Sequence, residues 1–168
     1  MISTATVYPS SVRDAMTQWP TGIAVVTTAD QDGWWWGCAA DSFSSVSMRP
    51  PLISVCLDRE HRCRPAFAAA DVFAVNVLRA GQEDLARHFA CKDACDFDGI
   101  AVEHGIDDVP LLSDVAVRME CRTTNVVPAG DHVMLLAEVI RVRTGPGEPL
   151  VYLRRNFRSL SRQDRLAA

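Results

Sequence analysis

The shortness of two joins between β-type runs constrains this chain more than any other feature. Residues 22–28 (GIAVVTT) form a β-branched run, and Trp34 opens the next run just after Asp30-Gln-Asp-Gly33, a hairpin-turn sequence. Further on, one run ends at Val127 and another opens at His132. Parallel neighbours need a crossover of about a dozen residues or more, so both joins require antiparallel pairing. A doubly wound parallel sheet is therefore excluded in favour of an antiparallel barrel.

The remaining runs fit that frame. Residues 52–57 follow Pro50-Pro51 as a buried-type strand, and 72–78 (VFAVNVL) is another. Residues 115–127 begin with the alternation Val115, Val117, Met119, Cys121, the period of a half-buried strand. Residues 132–142 make a long strand and 150–153 a short one. Residues 39–47 are small and polar, a loop or irregular strand, and 91–110 are irregular and acidic.

Three short helices come singly between the strands. The first is expected to cap at Ser11 with Asp14, to place Val12, Met16 and Trp19 at helical spacing, and to stop at Pro20. The second spans 64–70, with Pro65 in its first turn. The third, 82–90, puts Leu85, Ala86 and Phe89 on one face. The expected fold is mainly β with short helices, one domain over 1–168 with a core of about 11–160. No repeat, low-complexity tract or linker divides it.

Charge and cysteine usage narrow the function. The formal charge is −4, which argues against a nucleic-acid partner. Arg141, Arg143, Arg154, Arg155, Arg158, Arg162 and Arg165 make the C-terminal end locally basic, suited to an anion or to solvation as a tail. Residues 1–8 lack a signal-peptide pattern, and no apolar run reaches the length of a membrane span. The expectation is a cytoplasmic protein with no membrane association, its six cysteines reduced. Cys91 and Cys95 are four apart with no second pair, so no metal site is expected. No Gly-x-Gly-x-x-Gly follows a strand and no P-loop is present, so a nucleotide would be held without glycine-rich phosphate loops.

Six motifs then stand in a telling order: PTGIAVVTT at 20–28, GCAADSFSSVS at 37–47, PPLISVCL at 50–57, FAVNVL at 73–78, GDH at 130–132 and PLVY at 149–152. This series resembles the flavin-reductase family, the small reductase components of two-component monooxygenases. The resemblance covers roughly residues 11–160. It implies an FMN-binding split barrel, a homodimer, and flavin near the subunit interface. It also implies hydride transfer from NADH or NADPH to N5 of FMN or FAD, with reduced flavin leaving for a separate monooxygenase. The cofactor carries that chemistry, and the protein binds, orients and shields.

The resemblance assigns residues as well. Ala39, Ala40, Asp41, Ser42 and Ser45 would contact flavin through close backbone N–H groups and hydroxyls. Ser42 and His132 are the candidate catalytic residues. Cys56, Leu57, Asp58, His61, Arg62 and Cys63 would follow the cofactor toward its phosphate, and Phe89 and Lys92 would meet its tail. His132, Tyr152 and Arg154 would lie on the nicotinamide side.

Four positions depart from the family pattern. Ala39 replaces a threonine, Asp41 a serine, Cys63 a small hydroxyl residue and Arg155 a glycine. Asp41 would repel a phosphate or anionic flavin if it faced one. Cysteine is a poor donor, so His61, Arg62 and Arg64 would hold the phosphate by charge. Arg155 would either strengthen a pyridine-nucleotide phosphate contact or crowd a close backbone approach where the position needs positive φ.

The triplet Trp34-Trp35-Trp36 should send Trp34 and Trp36 to one face and Trp35 to the other, as packing or as an aromatic wall. Asn76 reads as structural, His88 and His104 as surface residues, and Asp107-Asp108 as a solvated turn. Two other functions fit the departures. One is a split-barrel enzyme holding flavin tightly and acting on a small, aromatic pathway intermediate. The other is a flavin-free binding module.

Overall fold

The computed structural model describes residues 8–91 and 96–160. Seven strands form the main sheet, all paired antiparallel: β2 (Ala24–Ala29), β3 (Trp35–Ala40), β4 (Ser44–Met48), β5 (Pro51–Asp58), β6 (Val72–Val77), β9 (Val117–Ala129) and β10 (His132–Thr144). Their order is β3-β2-β6-β9-β10-β5-β4, so β3 and β4 are the two edges. Only residues 41–43 join those edges. A chain that short spans at most about 14 Å. A flat seven-stranded sheet would hold its edges about 29 Å apart. The sheet must therefore roll into a barrel, and the unpaired β3 and β4 leave it split. Ser42 laces the seam. Its hydroxyl donates to the Cys56 carbonyl and accepts the Cys56 N–H, both at 3.0 Å.

The inward faces of the strands fill the barrel with Val26, Ala40, Val55, Leu57, Phe73, Val75, Leu135 and their neighbours. Phe67, from α2 (Arg64–Ala69), packs into the same cluster. The outer face of β2 is also buried. Val25 packs with Ala86 and Phe89 of α3 (Glu83–Ala90) and with Leu150. Two-sided burial explains why β2 reads as a continuous apolar run rather than an alternation. Gly37 on β3 lets α3 sit this close, since a Cβ there would come within 2.6 Å of the Phe89 ring.

A three-stranded sheet of β1 (Thr21–Gly22), β11 (Val151–Leu153) and β12 (Asn156–Arg158) pairs Thr21 with Tyr152. Asn76 is structural: fully buried, it donates to Val25 and Thr27 and accepts the Leu112 N–H.

Three expectations need correction. Helix α1 spans Pro9–Met16 with Tyr8 at its N-cap and no side-chain cap, so Ser11 lies inside it. Proline is preorganised for a first helical turn and moves the cap three residues earlier, from Ser11 to Tyr8. The segment 91–110 is not wholly irregular. It contains β7 (Val102–His104) and a 3-10 turn (Ile106–Asp108), and β8 (Pro110–Leu112) pairs back on β7. Strand β12 was not foreseen. Its turn from β11 uses Arg154 and Arg155 at φ 53° and 60°, without the glycine or asparagine that signals such a hairpin.

Candidate functional site

The β1–β11 pairing sets Tyr152 beside the seam turn 41–43, and two clefts open around that point. The larger, about 720 Å³, is bounded by Arg13, Met16 and Trp19, by residues 41–44, and by Tyr152, Arg154 and Arg155. The smaller, about 490 Å³, runs over Ile23, Ala39 and Ala40 to Ala86, Arg87 and Phe157. Asp41, Tyr152 and Arg155 line both.

The β11–β12 turn is fastened to the end of α1. The Arg154 N–H donates to the Thr17 carbonyl, and Arg154 Nε donates to Gln18 Oε1, both at 2.9 Å. Arg155 lies 3.9 Å from Asp14. Tyr152 packs on Phe157 at 5.3 Å between ring centroids, and Arg87 covers the Phe157 ring at 5.0 Å. The result is an open groove with a small-residue floor, an aromatic wall and a cationic rim.

A second cluster forms where β5 ends, α2 begins and β10 starts. His132 lies opposite Asp58 in the β5–β10 register. Its Nδ1 is 2.7 Å from Asp131 Oδ1, and that hydrogen bond holds the Asp131 carboxyl below the ordinary value. Arg59 Nε donates to the His132 carbonyl at 3.1 Å. His61 Nδ1 accepts the Cys63 N–H at 3.3 Å and lies 2.9 Å from Cys63 Sγ. Arg62 stands over the Trp36 ring at 5.9 Å.

The sequence-assigned residues divide accordingly. Ala39, Asp41, Ser42, Tyr152 and Arg154 meet at the clefts. Asp58, His61, Arg62, Cys63 and His132 meet at the barrel corner. Ser42 is engaged with Cys56 backbone, so its first role is to hold the seam. Leu57 (4 % exposed) and Phe89 (0 %) are core side chains, so a cofactor would meet only their backbone. Alternation along β5 turns Leu57 inward, and the apolar face of α3 turns Phe89 onto Gly37. Ala40 is also inward, and Cys63 is fully buried. Ser45 is exposed on edge strand β4. Lys92, and Cys95 of the cysteine pair, lie outside the described residues.

The tryptophans do not form a wall. Trp34 is solvent-exposed, Trp35 packs on Phe97 and His104, and the Trp36 N–H donates to Asp30 at 2.7 Å. That bond is the largest influence lowering the Asp30 carboxyl. Among the described residues the basic cluster is also dispersed, and its Arg162 and Arg165 lie outside them. Arg141 pairs with Glu120 and Arg143 with Glu103, while Arg154 and Arg155 rim the groove. Arg13, Arg87 and Phe157 were missed as groove residues. Only Arg13 had a usable signal, three positions before Met16 on a short helix.

Comparison with known proteins places this geometry. The flavin reductase like domain matches residues 16–161. An actinorhodin polyketide dimerase of Streptomyces coelicolor is 42% identical over 150 residues, covering 89% of this chain and 85% of that protein. An NADH:riboflavin 5'-phosphate oxidoreductase of Streptomyces pristinaespiralis is 41% identical over 153 residues, covering 89% and 86%. The solved structure of an NADH:FAD oxidoreductase of Streptomyces globisporus, in complex with NAD and FAD fragments, matches with a TM-score of 0.86 at 32% identity, over 95% of this chain and 98% of that one. A rolled, split antiparallel sheet carrying these motifs in this order, matched along nearly its whole length, makes the chain a member of the flavin reductase like family.

Proposed function

We propose that the chain is an NADH-dependent flavin reductase that supplies reduced FMN or FAD to a separate monooxygenase. The observation that carries this reading is the pair of adjoining clefts around Asp41, Tyr152 and Arg155, in a chain of this family. Two flat redox partners must meet face to face, and the two clefts adjoin at Asp41, Tyr152 and Arg155. The groove fits a flavin: Gly22 and Ala39 allow close backbone approach, Tyr152 offers an aromatic face, and Arg13, Arg154 and Arg155 suit phosphate.

When bound, the flavin accepts a hydride from NADH and carries the electron pair away. The chain's own residues bind and orient. His132 keeps Nδ1 on Asp131 at the barrel corner, apart from the residues that line the two clefts. The working form is a cytoplasmic homodimer. Helix α1 supports the dimer, because it buries none of its residues within one chain. Among the described residues, no helix is long and apolar enough to cross a membrane.

The test is consumption of NADH and NADPH by the purified chain with FMN or FAD added. Turnover that requires added flavin and prefers NADH is expected. Absence of turnover with either flavin would overturn the reading.

One observation favours a second reading: the 42%-identical relative is named for joining polyketides rather than for reducing flavin. Here flavin would stay bound and act on an aromatic intermediate. Flavin retained through gel filtration, with no free-flavin turnover, would select it.

A further inference from the structure

We infer that Cys38, His61 and Cys63 form a binding site for a thiophilic metal ion, with Zn²⁺ the class it suits best. Cys38 is distant in sequence from the other two, which stand two residues apart. Cys38 lies on edge strand β3, and His61 and Cys63 lie in the turn between β5 and α2. Rolling the sheet brings that corner against β3. Cys38 Sγ, His61 Nδ1 or Nε2 and Cys63 Sγ then all lie within 4.8 Å of one another. Around a tetrahedral zinc ion, bonds of about 2.3 Å to sulfur and 2.0 Å to nitrogen set the ligands about 3.5–3.8 Å apart. Closing onto an ion therefore takes a shift of at most about 1.3 Å, within reach of side-chain rotation.

Chemistry supports the geometry. Two thiolates and a neutral imidazole around a divalent cation sum to zero charge, which a buried site tolerates. Both thiols are buried, Cys38 2 % and Cys63 0 % exposed, packed with Phe67 and with Trp36 and Phe43 at the margin, while half-buried His61 leaves the fourth position open to water. His61 Nδ1 accepts the Cys63 N–H, so its lone pair is on the Cys63 side. That requires the tautomer with the proton on Nε2, the neutral form that ligates metals. Thiolate ligands select zinc or copper(I) over magnesium and calcium. Buried cysteines acting only as small apolar groups would account for Cys38 and Cys63 separately. A hydrogen bond accounts for the His61–Cys63 contact, and what the metal site adds is the reason for Cys38 to approach both.

The ion would tie β3 to the corner beyond β5, across the same split that Ser42 laces. Stability should therefore respond to it, and the inference does not depend on the flavin reading. The experiment is titration of the reduced, chelator-treated full chain with Co²⁺ and then Zn²⁺. It follows thiolate-to-cobalt absorption and the thermal midpoint. One equivalent per chain, with a raised midpoint, is expected.

His61→Ala, at a half-buried turn residue, should weaken binding at least about 10-fold, the scale produced even by groups that only orient ligands. Cys63→Ser should remove the charge-transfer band, and Cys91→Ser should leave it. No thiolate absorption in the parent chain, or binding unchanged in His61→Ala, overturns the site. His61→Ala also keeps the test decisive if Cys63→Ser does not fold.

Discussion

Asp41 is exposed at the point where both clefts meet, and it places a negative charge where an anionic cofactor would lie. Removing that charge while restoring a hydroxyl should help binding. Asp41→Ser is expected to tighten FMN or FAD binding by about 3- to 10-fold in a fluorescence titration. Unchanged or weaker affinity would place the carboxylate away from the phosphate. Arg155 presents a different residue-scale problem, because its φ of 60° is a left-handed conformation that costs a non-glycine residue about 1 kcal/mol. Its contact with Asp14 at 3.9 Å is exposed and worth little. Arg155→Gly should therefore raise the thermal midpoint by roughly 2–4 °C, and a fall would show that the guanidinium matters more than the strain. Cys121 supplies a pH dependence. Burial first, and the neighbouring Glu120 second, push its thiol from 9.0 up to about 12. The raised folded value makes its contribution complete below pH 9 and progressively lost as pH rises toward about 12. Through that window the loss approaches roughly 1.4 kcal/mol per pH unit. Urea unfolding across the alkaline range should show a shallower decline in Cys121→Val than in the parent.

At the scale of elements, β6 depends on one polar residue. Asn76 satisfies Val25 and Thr27 on β2 and the N–H of Leu112 on β8, so it pins three strands together. Asn76→Ala would leave the Leu112 donor buried without a partner and open a cavity. A loss of about 2–4 kcal/mol is expected from the shift in urea midpoint. A loss below about 1 kcal/mol would mean that water replaces the amide. The polar residue in an apolar run was enough to read Asn76 as structural, and the two short joins were enough to read the pairing as antiparallel. What escaped shares a cause. Strands β7, β8 and β12 are each three residues long, too short to show a period. The turn before β12 is built from two arginines in a conformation that favours glycine. Helix α1 begins at a proline, while the apparent capping pair lies inside it. The site residues divided for a similar reason. Motif order identified the segments, but only the roll of the sheet decides that Leu57 faces the core, that Ser42 holds the seam, and that His61 and Cys63 meet Cys38.

At the scale of the whole molecule, a single copy leaves a set of apolar side chains exposed. Helix α1 has eight residues and buries none of them, a length at which an isolated helix is marginal in water. Val12 and Met16 on that helix, with Trp19 just beyond, are 48, 58 and 66 % exposed, an apolar face left open among the described residues. Val126 and Val127 on β9 and Met48 on β4 add to the exposed apolar surface. A second copy of the chain would cover such surface, and Met16 and Trp19 also bound the larger cleft, so the partner would help enclose bound cofactor. The expected particle in light scattering after gel filtration has twice the 18.4 kDa chain mass. Met16→Glu, placing a charge on the proposed interface, should shift it toward the monomer and weaken flavin binding in the same variant. A parent chain that remains a monomer at every concentration would overturn the dimer. A Met16→Glu chain that still dimerises would leave the dimer standing and move its interface away from α1.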